Sequence, residues 1–151
     1  MSVILRPVME ESRRGDIEYS VEIRATIGDV FRALTVSRII DEWGGGPARV
    51  QAKVNGRYSL WDGEMHGVIK EVEFPRRLVH TLREASWEDN WLDSLVSWRL
   101  DEIQGRTRLS LLHAGLPSRR LCELHEDGWG EYFLGPLKAW LERRPLKQAT
   151  R

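Results

Sequence analysis

The chain has 151 residues, a length that suits one domain and suffices to bury a core. Hydrophobic residues are 41% and charged residues 30%, with 23 basic against 23 acidic side chains, which excludes a strongly basic or disordered chain. That balance speaks against nucleic acid as the main partner, and no run approaches the ~20 apolar residues of a membrane span.

Residues 17–24 alternate apolar and polar with period two, predicting a strand with one buried face. Thr26 can cap the helix after it, with Asp29 in its first turn and Val30, Phe31 and Leu34 on one side. Ser37 opens a second short helix carrying Ile39, Ile40 and Trp43, stopped by Gly44 to Pro47. Residues 49–54 and 57–61 flank Asn55-Gly56, the strongest short-range hairpin signal. Asp62-Gly63 turns the chain into a strand over 64–74, Pro75 breaks it, and 77–84 resumes it. After a polar loop over 85–93, strands over 94–103 and 107–114 flank Gln104-Gly105. These strands predict an antiparallel meander.

From about Ser118 to about Arg144 the residues Leu121, Leu124, Trp129, Tyr132, Phe133, Leu137, Trp140 and Leu141 recur at helical spacing. Gly135-Pro136 predicts a kink or short break, and the tail from Pro145 is expected to be disordered. Strands followed by one long helix predict a curved sheet gripping that helix around a cavity.

Strand parity then divides residues between cavity and solvent. Thr107, Leu109, Leu111 and His113 face inward on the last strand, leaving Arg106, Arg108 and Ser110 outside. Val96, Trp98 and Leu100, then Leu78, His80 and Leu82, and finally Tyr58 and Leu60 point inward from the preceding strands. With Trp43 and the helix face, the expected ligand-binding wall is Trp43, Tyr58, His80, Trp98, His113, Trp129 and Phe133. An inward histidine is either a core residue tied to one hydrogen-bond partner or a group that orients a polar ligand atom. As imidazoles, His113 or His80 would also be the proton carriers of an acid/base enzyme.

Other chemistry is weakly signalled. The four histidines, His66, His80, His113 and His125, lie on different elements, and neither a His-Glu-x-x-His pattern nor a cysteine pair occurs. No metal and no cofactor is expected. Cys122 stands alone, so no internal disulfide forms, which fits a reducing compartment and a cytoplasmic location. Its apolar neighbour Leu121 favours a buried structural thiol. Trp87 and Trp91, in an acidic loop, either anchor that loop or cover a pocket mouth.

The chain resembles the SRPBCC superfamily of START and birch-pollen-allergen-like proteins, and within it the family of the heat shock protein 90 ATPase activator C-terminal domain. The residues that carry the resemblance run from Ala25 to Leu34, Ile40 to Trp43, Gly56 to Tyr58, and Gly67 to Val72 with Pro75 to Leu78. Thr107 to Leu109 with His113 to Gly115, and Gly128-Trp129 with Leu137, complete it. Relatives often carry a second tryptophan after Trp43 and a Gly-Gly pair where this chain has Asn55-Gly56. The resemblance implies an α+β helix-grip fold: a curved antiparallel sheet of about six or seven strands around a long C-terminal helix, with two short helices after the first strand. One domain would span 1–151, with its core over about 17–144 and flexible ends. The implied function is a non-enzymatic hold on a hydrophobic or aromatic small molecule. The alternatives are a cofactor-free acid/base enzyme of the polyketide cyclase type, and a chaperone-binding regulator working through a protein partner.

Overall fold

The structure is a computed structural model that describes residues 16–143; the expected disordered tail and the residues before 16 lie outside the described residues. Strand β1 (Ile17–Ile23) sends Ile17, Val21 and Ile23 into the core. Helix α1 (Ile27–Thr35) starts at Thr26, whose hydroxyl accepts the Asp29 N–H at 3.2 Å and satisfies one of the orphan donors of the first turn. Helix α2 (Ser37–Trp43) ends on Gly44, whose φ of 113° is the left-handed cap glycine adopts without a Cβ penalty. The buried Trp43 indole donates to the Ala33 carbonyl at 2.8 Å and ties α2 to α1.

The remaining strands are β2 (Arg49–Val50), β3 (Arg57–Leu60), β4 (Met65–Glu73), β5 (Arg77–Glu84), β6 (Ser94–Ile103) and β7 (Arg106–Ala114). All pair antiparallel in the order β1-β7-β6-β5-β4-β3-β2, so the last strand returns beside the first. This is the curved α+β sheet of the helix-grip fold, with seven strands. Gln104 and Gly105, at φ 51° and 81°, form the two-residue turn between the paired Ile103 and Arg106, as the primed hairpin turns require.

Asn55-Gly56 does something else. Strands β2 and β3 do pair as a hairpin, but β2 stops at Val50, so the connection runs over 51–56. The Asn55 N–H bonds to Ile69 O on β4 at 2.8 Å instead of closing a two-residue turn. Gly56 serves a close approach, because a Cβ there would lie 2.1 Å from the Gln51 carbonyl oxygen. Ser110 also departs from its expected outward exposure. It is buried, a short side chain between its cross-strand neighbours Ser20 and Arg99.

The C-terminal helix is continuous but not uniform. Ser118 caps α3 (Arg119–Gly128) by accepting the Leu121 N–H at 3.2 Å. A π-helical turn (Trp129–Leu134) comes next, then α4 (Gly135–Arg143). The kink expected at Gly135-Pro136 takes the form of this wider turn. Pro136 has no N–H for the carbonyl four residues back, and the Gly135 N–H reaches back five residues to Gly130 O. The extra residue rotates α3 by about 100° relative to α4. Trp129, Phe133, Leu134, Leu137 and Leu141 are therefore buried, while no residue of α3 is. Leu124 and Tyr132, expected on the buried face, are 55% and 62% exposed for the same reason. No helix among the described residues is long and apolar enough to cross a membrane.

Candidate functional site

The space between sheet and helix is occupied by an aromatic cluster centred on Phe133. Its ring lies 4.8 Å from that of Trp43, 5.0 Å from Trp129, 5.3 Å from Trp98 and 6.2 Å from Trp61. Aromatic rings at these separations gain edge and stacking contacts beyond plain area burial. A void of about 20 Å³ lies here, lined in part by Tyr58, His80, Trp98 and Phe133, which is room for about one water.

The two inward histidines satisfy the indoles of this cluster. Trp98 donates Nε1–H to His80 Nε2 at 3.0 Å, and Trp129 donates Nε1–H to His113 Nδ1 at 3.0 Å. His80 donates its remaining Nδ1–H to the Thr81 carbonyl at 2.9 Å. His113 donates its Nε2–H to Ser94 Oγ at 2.8 Å, and that hydroxyl donates to Leu82 O at 3.0 Å. Each imidazole thus holds one defined neutral tautomer with both ring nitrogens engaged. Burial pushes the His80 pKa down to about 4, against a smaller upward pull from its bond to Thr81 O. His113 is lowered well below its usual range, by burial first and then by the nearby His125 and His80. Tyr58 donates its hydroxyl to Thr81 O at 2.6 Å, and burial, with Asp93 second, holds its pKa well above 10.

A larger space of about 270 Å³ opens beside this filled interior, beneath α3. Trp61, Met65, Leu121, Leu124, Trp129 and Phe133 supply most of its wall, and Glu84 and His125 its polar part. His125 Nε2 lies 3.0 Å from Glu84 Oε2, so the pair bridges α3 to β5 across the groove. A second tie is the Tyr19 hydroxyl, which donates to the Glu126 carbonyl at 2.5 Å. Phe133 and Met65 line both spaces, and Trp129 lines the groove alone. Of the other expected wall residues, Tyr58, His80 and Trp98 line the small void, Trp43 packs behind Phe133, and His113 lies behind Trp129.

Trp87 anchors its loop: it is buried, 6.1 Å ring to ring from both Trp91 and His125, with the Arg83 guanidinium 5.9 Å from its ring. Cys122 is half-buried, and burial first, then Glu126, raises its thiol pKa. Among the described residues no three His, Cys, Asp or Glu side chains converge as a metal site.

This fold and site can be set beside known proteins. The family described as "Activator of Hsp90 ATPase homolog 1-like protein" matches residues 24–142, most of the chain. The chain belongs to this family. A human relative, "Activator of 90 kDa heat shock protein ATPase homolog 1", is 22% identical over 110 residues, 73% of this chain but 32% of that protein. The chain therefore spans about a third of the length of the curated relatives it matches. An Hsp90 activator from Plasmodium falciparum superposes with a TM-score of 0.76 at 25% identity, covering 83% of this chain and 95% of that one. CalU16 from Micromonospora echinospora gives 0.69 at 27% identity, covering 82% and 76%.

For this member of the Hsp90-activator-like family, Trp61, Met65, Glu84 and His125 are the groove residues that parity and spacing do not single out. Trp61 comes after β3 at a positive φ of 48°, so strand parity no longer governs it. His125 and Glu84 meet only because the π turn sets the angle of α3 over β5. A histidine on the α3 stripe with Leu121 and Leu124 is the only signal the sequence offers.

Proposed function

We propose that this protein holds a small hydrophobic or aromatic molecule in the groove beneath α3. The observation that carries this reading is the composition of the groove wall: six large apolar side chains, Trp61, Met65, Leu121, Leu124, Trp129 and Phe133, around one polar pair, Glu84–His125. Ligand sites commonly have this make-up, a mainly apolar surface with few placed polar groups, and about 270 Å³ lies near the small end of their size range. A cytoplasmic location goes with this reading. The acid/base alternative has little support in His80 and His113, since both ring nitrogens of each are engaged and both rings are held neutral. Mass spectrometry of small molecules released from the purified protein, together with calorimetric titration of an uncharged aromatic probe, tests the proposal. A released apolar compound that competes with the probe supports it; absence of probe binding at its solubility limit would refute it.

A second reading, binding to a chaperone of the 90 kDa heat shock class, is supported by the family and by the nearly filled interior. Stimulation of that chaperone's ATPase by the purified chain would favour it. No stimulation and no co-sedimentation would remove it.

A further inference from the structure

The face of the sheet turned away from the helix carries a separate depression of about 530 Å³ over β2 to β5. Arg49 opposes Ser59, Ser59 opposes His66, and His66 opposes Arg83, so these four side chains form one row across four strands. Three inter-strand steps make that row about 14 Å long. Arg57, two residues from Ser59 on the same face, stands diagonal to Arg49, at a Cα separation of about 7–8 Å.

The arginines on the sheet divide cleanly. Arg77, Arg83, Arg99, Arg106 and Arg108 each have a carboxylate within ion-pair distance. Arg49 and Arg57, the other two on strands, have none among the described residues, and both are exposed. Arg83 is a fixed end point: Asp93, at 2.7 Å, and the carbonyls of Glu88 and Trp91 hold its guanidinium. His66 donates Nδ1–H to Gly63 O at 3.1 Å, which turns its ring in place.

We propose that this depression binds an extended acidic segment of a partner protein, with Arg49 and Arg57 pairing with its carboxylates. Carboxylates on one side of an extended chain recur every ~6.6–7 Å, close to the ~7–8 Å that separates the Cα atoms of Arg49 and Arg57. A single phosphate is compact and does not use a row of this length. Nucleic acid is the less suited polyanion because the chain as a whole carries no basic surplus, 23 against 23. The proposal is independent of the groove beneath α3, which lies on the opposite face of the sheet.

The test is fluorescence anisotropy with labelled hexaglutamate at low ionic strength, on the native protein, on R49Q/R57Q, and on R119Q/R120Q, which removes the same charge from the start of α3. Unchanged urea midpoints establish that both variants fold. The proposal expects native binding that weakens with added salt, a loss of roughly tenfold or more in R49Q/R57Q, and little change in R119Q/R120Q. No binding to the native protein, or equal losses in both variants, would overturn it. So would inorganic phosphate displacing the peptide at matched charge concentration, or a single-stranded oligonucleotide binding more tightly through the same arginines.

Discussion

Trp129 shows how a single residue serves core and groove together. Its ring packs on Trp98 and Phe133, its N–H is accepted by His113, and its edge forms part of the groove wall. It is buried, so Trp129→Ala is expected to cost roughly 3–5 kcal/mol in urea denaturation, as large core truncations do. Trp129→Phe keeps much of the packing but leaves His113 Nδ1 without its donor, and roughly 1–3 kcal/mol is expected. A variant of unchanged stability would mean that the ring is not packed as described.

The buried histidines also set a pH dependence. The folded-state pKa of His80 is about 4 and its ordinary value 6.5, so the unfolded chain takes up the proton first as the solution acidifies. His113 acts in the same direction. The stability from His80 is fully present above about pH 6.5 and is lost as pH falls toward 4, at up to about 1.4 kcal/mol per pH unit. His80→Gln should flatten the dependence of the urea midpoint on pH in that window. An identical slope in the variant would contradict the lowered pKa of the buried His80 ring.

The inward direction of both histidines is legible from period-two alternation, but their partners are not. Trp98 meets His80 diagonally across strands β5 and β6, a matter of register. Trp129 meets His113 only through the placement of the π turn.

Among the elements, the C-terminal helix is two structures in series. Helix α4 is fixed by Leu137 and Leu141, whereas α3 buries none of its residues and is tied to the body by Glu84–His125 and Tyr19–Glu126. Few buried apolar contacts mean a low cost of local opening. Amide hydrogens of α3 are therefore expected to exchange faster than those of α4, and Glu84→Gln should widen the difference. Equal protection along the whole helix would show that α3 is held by more than these ties. The helix's existence and its Pro136 irregularity are readable from periodicity. The lift of α3 is not, because the stripe of Leu121, Leu124, Trp129 and Phe133 looks continuous until a π turn rotates one half against the other. Asn55-Gly56 departs from a two-residue hairpin turn for a related reason: an Asn-Gly pair gives local conformation, while its hydrogen bond to Ile69 on β4 is a long-range choice.

On the scale of the molecule, one sheet separates two surfaces of opposite chemistry, an apolar groove under the helix and an arginine row on the far face. The order of strands, glycine breaks and final helix makes the fold and its family recognisable without coordinates. The groove is not readable in the same way, since the cavity expected between sheet and helix is closed by Trp43, Trp98, Trp129 and Phe133 and the open volume lies one helical segment away. The most direct test of small-molecule binding there is a two-dimensional NMR titration of the tryptophan indole resonances with uncharged N-phenyl-1-naphthylamine, a probe the arginine row does not attract. Binding in the groove predicts the largest shifts at Trp61 and Trp129, with Trp43, bonded to Ala33 O behind Phe133, nearly unmoved. Shifts that leave Trp61 and Trp129 in place, or no shifts at saturating probe, would contradict it.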